Sequence, residues 1–319
     1  MRYLYFLFYS KFNHYAEKNN VKPEALNADA QHLLVKLSNC LRAGGYSERT
    51  VRSYTSEVRF LFAYFNDLDP MSIGEDEIVL YINYLKSGRN LGRAKCRLAA
   101  QSFSFFYKHV LRKPYKLPSK LYPRKDFTLP EVLSQEQMAH LFRSIGNTKH
   151  RCMVALLYGA GLRLNELRTL RIKSVDSSAM QIKVIQGKGN KDRFTLLPHF
   201  ILEDLRRYYR NDRPKEFLFE GRFPGKPMHE RAIGHMVNHC MKVAGFDGRS
   251  FSAHTLRHSF ATHLLDQGID IHTIKELLGH TKLETTMIYL HLQQSKRAKL
   301  VSPLDAIMCD STKRESACV

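Results

Sequence analysis

Long apolar runs are missing from this 319-residue chain. No run exceeds the seven residues of Tyr3–Tyr9, against the roughly 20 that a membrane-crossing helix needs. That run also reads as a poor signal peptide, because no small-residue cleavage site follows it. The six cysteines (Cys40, Cys96, Cys152, Cys240, Cys309 and Cys318) lie far apart, and no CxxC pair occurs. Neither a zinc knuckle nor a disulfide framework is suggested, so a reducing cytoplasm is the expected compartment. A GxxxxGK[ST] nucleotide loop is absent too. Acidic residues are scarce: 30 Asp plus Glu face 50 Lys plus Arg, a net charge of +20. Such an excess points to a polyanionic partner, most often nucleic acid. An apolar share of 44% rules out global disorder. The length suggests two domains, at roughly 100–200 residues each.

The positive charge is clustered. Lys86 to Lys125 carries twelve Lys or Arg and no Asp or Glu. A solvated helix face ordinarily mixes both signs, so phosphate-backbone contact is the better reading of this run. Its candidate contacts are Arg89, Arg93, Lys95, Arg97, Lys108, Arg112, Lys113, Arg124 and Lys125. Pro114, Pro118, Pro123 and Pro130 then mark residues 114–130 as a semi-rigid basic linker, since proline removes a donor and extends its neighbour. Ahead of the linker, residues 33–113 read as a small helical domain. Leu33, Leu34, Leu37 and Leu41 recur at helical spacing, Gly44-Gly45 ends that helix, and Ser47 can cap the next. Ile78, Tyr81, Ile82 and Leu85 predict a third helix, and Leu98, Phe103, Phe106 and Val110 a fourth. Residues 1–32 form an aromatic and basic extension.

Beyond the linker, residues 131–305 read as a second, larger domain and 306–319 as a polar tail. Helical patterns dominate, but Met180–Ile185 alternates as a strand does, and Arg193–Leu197 can return as its partner. Four segments here contain residues suited to chemistry. In Gly159-Ala160-Gly161-Leu162-Arg163 an arginine stands where a helix begins, a place that favours anions. Lys188 sits between Gly187 and Gly189 on the hairpin turn, where a mobile lysine can reach into a cleft. In His254-Thr255-Leu256-Arg257-His258, His254 and Arg257 share a helix face. His258 is also one turn from His254, but Thr255 replaces the glutamate of the zinc-protease motif; His258 is expected to be packed or hydrogen-bonded structurally, and no metal is expected. Last, His280 follows a glycine that ends a helix, and Tyr289 lies nine residues on. Tyr289 is the only tyrosine after Tyr209.

The order Arg, Lys, His-x-x-Arg, His, Tyr resembles that of the tyrosine recombinases of the Xer and integron-integrase type, the phage integrase family. The matching text is GAGLRLNEL, QGKGNKDR, HTLRHSFATHLL and LLGHTKLETTMIYLH, and the resemblance spans about residues 33–305. It implies a mainly α fold with a small antiparallel sheet, in which a helical, SAM-like core-binding domain and a catalytic domain form a DNA clamp. It places the catalytic residues at Arg163, Lys188, His254, Arg257, His280 and the nucleophile Tyr289, with Glu166 supporting the first arginine. The implied reaction is attack by the tyrosine hydroxyl on a DNA phosphodiester, giving a 3′-phosphotyrosyl bond that conserves the energy for rejoining. Two arginines suit the phosphate because they are always charged and donate in pairs. A phenol with a pKa near 10 needs a base, for which His254 is the candidate. Lys188 is the candidate acid for the leaving 5′-oxygen, and His280 a donor to a phosphate oxygen. No cofactor, metal or ATP is expected.

The implied partners are double-stranded DNA bearing a specific recombination site and three further copies of the chain, a homotetramer on two duplexes joined by exchange of C-terminal segments. The helix that integron integrases insert before the His-x-x-Arg box is not evident in the 55 residues between Pro198 and His254. This argues against folded attachment-site recognition of the integron kind, while the extension 1–32, longer and more aromatic than a housekeeping Xer protein would show, favours an integrase or transposase of a mobile element. A chromosome- or plasmid-dimer resolvase, a type IB topoisomerase and a DNA-binding regulator without activity are the alternatives.

Overall fold

The computed structural model describes residues 26–114, 129–185, 192–246 and 251–292. The chain divides into two compact units, Met1–Thr128 and Leu129–Val319.

The first unit is all helix. Helix α1 (Ala28–Ala43) starts earlier than the leucine pattern predicts, because the Asn27 side chain accepts from the Ala30 N–H at 2.8 Å. It stops where Gly45 takes a left-handed φ of 71°. Helix α2 (Glu48–Tyr64) is capped by Ser47, as the sequence predicts, with the hydroxyl accepting from the Thr50 N–H. Helices α3 (Glu75–Asn83) and α4 (Arg93–Phe105) each run on into a π-helical stretch, Tyr84–Gly88 and Phe106–Leu111. The predicted apolar positions Leu37, Leu41, Ile78, Phe103 and Phe106 meet in one core with Val58 and Leu61 of α2.

The second unit wraps its helices around α6 (Thr148–Gly159), whose residues Cys152 to Leu157 are all buried. It follows α5 (Gln135–Ser144) and precedes the short α7 (Leu164–Arg168). Strands β1 (Val175–Asp176), β2 (Gln181–Val184) and β3 (Arg193–Leu196) form an antiparallel sheet in that order. Strands β2 and β3 match the two predicted; β1 was not foreseen, being two residues long and set by a turn in which Asp176 accepts from the Ser178 and Ala179 N–H groups. Ile182 and Val184 face inward, paired with Thr195 and Arg193. Helices α8 (Leu202–Asp212), α9 (Glu230–Val243), α10 (Ala253–Asp266), α11 (Ile271–Leu278) and α12 (Glu284–Leu292) complete the unit. No helix among the described residues is long and apolar enough to cross a membrane.

Two close contacts place the site. Gly161, between α6 and α7, has φ 59°, and a Cβ there would lie 2.5 Å from the Phe260 ring. Only glycine lets α7 begin so near α10. The Thr195 hydroxyl donates to the Ala160 carbonyl at 2.7 Å, which pins β3 to the same turn.

Candidate active site

Arg163 caps α7 and folds back on it. Its N–H donates to Glu166 Oε2 at 2.8 Å and its Nη1 to Oε1 at 2.7 Å. Arg257, on α10 and 4% exposed, lies 3.8 Å from Glu166 through Nη1 and also donates to the Gly161 carbonyl. A third guanidinium completes the group. Arg193 grips Glu166 with both terminal nitrogens, at 2.9 and 2.7 Å. The sequence reading gave Arg193 no role.

The end of α11 closes over these side chains. Gly279 takes the left-handed conformation at φ 61°, and the His280 N–H returns to the Lys275 carbonyl, so the helix ends in a tight turn that delivers His280. Three successive carbonyls at that end each accept from a different arginine: Leu277 from Arg193, Leu278 from Arg257, and Gly279 from Arg163. The negative end of a helix thereby holds the guanidinium groups together. Three positive charges against the single Glu166 carboxylate leave a surplus of two, which suits the non-bridging oxygens of a phosphate. Burial pushes the Glu166 carboxyl up, but the Arg193 fork and Arg163 outweigh it and hold the group at about 2. Burial and the charge of Arg163 bring Arg257 down to about 9, so it stays charged at neutral pH.

Tyr289 sits on α12, 1% exposed, in a small apolar cluster with Phe260, Ile274 and Leu278. Its hydroxyl is 3.0 Å from His258 Nδ1. The expected base, His254, is not at this hydroxyl: the two histidine rings are 6.5 Å apart, and His258 is the nearer to Tyr289. The two histidines share a face of α10 one turn apart along its axis, and it is the second that lies level with Tyr289. Burial pushes the phenol up to about 12, against the pull of Arg257 and Arg163. Burial, then His254 and Arg257, lower His258 to about 4. It is therefore neutral at pH 7, and with its proton on Nε2 it accepts from the phenol. Partial desolvation, Arg257 and Arg163 also lower His254, which reaches solvent.

His280 is tied to the tyrosine helix. Its Nδ1 lies 2.9 Å from the hydroxyl of Thr286, a fully buried residue one turn before Tyr289. Burial and the arginines Arg257, Arg163 and Arg193 hold the imidazole at about 3. A neutral His280 accepting at Nδ1 keeps its proton on Nε2, where it is a donor.

The structure thus brings together Arg163, Glu166, Arg257, His280 and Tyr289. Lys188 lies outside the described residues, as do Arg124 and Lys125. In the first unit Arg89, Arg93, Lys108, Arg112 and Lys113 are exposed and Arg97 is half-buried. Two of the expected phosphate contacts are engaged elsewhere: Lys95 pairs with Glu57, which is 2% exposed, and Lys113 donates to the Met71 carbonyl at 3.1 Å.

Comparison with known proteins bears on the family and the fold. The phage integrase family signature matches residues 131–296, and the N-terminal SAM-like domain of phage integrases matches 33–117. The tyrosine recombinase XerA of Thermococcus kodakarensis is 32% identical over 295 residues, covering 87% of this chain and 99% of that protein. The chain belongs to the phage integrase family. Another member, a tyrosine recombinase of Thermosipho africanus, is 30% identical over 274 residues, with 81% and 94% covered. Among solved structures, XerH site-specific recombinase bound to a palindromic difH substrate superposes with a TM-score of 0.65 at 19% identity, covering 91% of this chain and 93% of that one. The Tn1549 transposon integrase, solved with transposon right-end DNA, gives 0.65 at 16% identity, with 88% and 98% covered. These two establish the fold class predicted from the sequence, mainly helical with a small antiparallel sheet.

Proposed function

We propose that this integrase-family member is a site-specific DNA recombinase that cleaves and rejoins duplex DNA through a phosphotyrosyl intermediate, with Tyr289 as nucleophile. The observation that carries this reading is the placement of a buried tyrosine hydroxyl on a neutral histidine, His258, beside three arginines that share one carboxylate. In this reading Arg163 and Arg257 hold the non-bridging oxygens and stabilise their charge as phosphorus becomes pentacoordinate. The Tyr289 oxygen bonds to phosphorus as its proton passes towards His258, with His254 the other candidate base. The bond to the 5′-oxygen breaks, and Lys188 supplies that oxygen's proton. Nε2–H of His280 donates to a phosphate oxygen. The phosphotyrosyl ester is then attacked by the 5′-hydroxyl of a second strand, which restores the tyrosine.

Four copies on two duplexes, joined through the residues after Tyr289, would bring the exchanging strands together. The basic run of the first unit would grip the backbone and leave sequence reading to other contacts. We assign the protein to a mobile element, on the strength of residues 1–32.

The test uses nicked suicide duplexes cut from the DNA on both sides of the gene, incubated in EDTA. The expected result is an SDS-stable protein–DNA adduct that is lost in Tyr289→Phe. No adduct on any duplex would overturn the reading. Adducts without strand exchange between two duplexes would favour a type IB topoisomerase.

A further inference from the structure

Arg193 carries no role in the reaction so far, yet its guanidinium is fully engaged within the site. It is 9% exposed. All three of its side-chain nitrogens are used: Nε on the Leu277 carbonyl at 2.8 Å, and the two terminal nitrogens on separate oxygens of Glu166. Among the described side chains only Arg193 takes both oxygens of Glu166 with separate guanidinium nitrogens; Arg163 places one there and Arg257 stands 3.8 Å off. A planar fork of this kind fixes the orientation of a carboxylate as well as its position.

Its stem completes the contact. A Cβ on Gly279 would lie 2.8 Å from Arg193 Cδ and 3.1 Å from Nε, so the turn that ends α11 rests directly on the arginine. That turn delivers the Gly279 carbonyl, which accepts from Arg163, and then His280. Arg193 thus ties three elements at one point: β3 by its own backbone, α7 through Glu166, and α11 through Leu277 and Gly279. It also lies five residues after Lys188, at the head of the strand that leaves the hairpin turn.

We propose that Arg193 is a positioning residue of the phosphate pocket: it fixes the Glu166 carboxylate and the last turn of α11, and through them sets the places of Arg163 and His280. The proposal rests on reading the site as a phosphodiester pocket. Its contribution is geometric, since each nitrogen of the guanidinium already has a partner within the protein.

The experiment compares Arg193→Lys, Glu166→Gln and the double variant with the wild-type chain. Arg193→Lys retains the charge and loses the fork. Single-turnover adduct formation on a nicked duplex is expected to slow by about 10- to 100-fold in Arg193→Lys, as misplacement by an ångström does. The Kd for the same duplex should change less than about 3-fold, because phosphate charge supplies most of the affinity. The double variant should be no slower than the worse single one, since both act on one arrangement. A wild-type cleavage rate in Arg193→Lys would overturn the proposal, and so would losses that multiply in the double variant. A second reading needs no activity. The His280 imidazole is followed by NMR titration in the unliganded protein, with Arg163, Arg193, Arg257, Glu166 and His258 as its charged or titratable surroundings. With the charge kept, loss of positioning should still move its titration by about half a pH unit or more. An unmoved titration in a folded variant would overturn the proposal. If wild-type protein forms no adduct on any duplex, the recombinase reading fails and the titration alone decides the role of Arg193.

Discussion

The Tyr289 hydroxyl meets Nδ1 of His258 at 3.0 Å, on a helix where His254 stands one turn away. The tyrosine's partner is therefore the second histidine of HTLRH. Exchanging His258 for Gln should slow adduct formation by about 100-fold or more, the usual size of a lost general base. His254→Gln should cost less. Since burial holds His258 at about 4, cleavage by the wild-type chain should be insensitive to its titration between pH 6 and 8. Single-turnover cleavage of a suicide duplex checks both points. A larger loss in His254→Gln would return the base to His254.

Glu166 holds three arginines together, and its side chain is only 7% exposed. Removing one member of a buried charge cluster leaves the others uncompensated, at a cost of about 3–5 kcal/mol. Glu166→Gln should lower the urea midpoint accordingly. Orthophosphate should then stabilise the variant more than the wild-type chain, because an anion can replace the missing charge. Equal stabilisation of both would show that the arginines do not form one anion site.

The histidines make stability depend on pH. His258 and His280 are held at about 4 and about 3 by burial and neighbouring positive charge. Unfolded chains bind protons at these positions below about pH 6.5, whereas the folded protein does not. Their stabilisation is therefore complete above that pH and is lost as pH falls towards 4. The slope is at most about 1.4 kcal/mol per pH unit for each histidine, and partial exposure trims it. Below about pH 4.5 Glu166, held at about 2, adds a loss of its own. Urea midpoints between pH 7.5 and 5 should show the first slope, and His280→Asn should flatten it.

The basic run divides by role. Lys95 is committed to the buried Glu57, so Lys95→Met should destabilise the first unit by about 3 kcal/mol, through the charge left behind. Arg89→Gln combined with Lys108→Gln should leave the urea midpoint nearly unchanged, as both side chains are exposed. That pair should instead flatten the salt dependence of DNA binding by up to about 0.9 in log–log slope for each phosphate left without its cation. An unchanged slope would make these two residues ordinary solvated surface.

Local signals read well from the sequence because they depend on nearest neighbours. The Ser47 cap, the glycine stops at Gly45 and Gly279, the leucine stripe of α1 and the β2–β3 hairpin are all set within a turn or a pleat. The positions of Arg163, Glu166, Arg257, His280 and Tyr289 followed from motif text, and the fold brings them together. Arg193 was hidden by an inverted strand. In β3 it is Arg193 and Thr195 that turn inward while Phe194 and Leu196 are exposed, and alternation alone does not say which set faces the core. The choice between His254 and His258 was hidden for a related reason. Both lie on one helix, and only the packing of α12 selects between them.

The three arginines are anchored to main-chain oxygens of Leu277, Leu278 and Gly279. These contacts depend on the shape of a helix end more than on the side chains that form it. At 277 and 278 the arginines use only the main chain, whereas Gly279 is bound by its left-handed backbone and by the arginine lying against it.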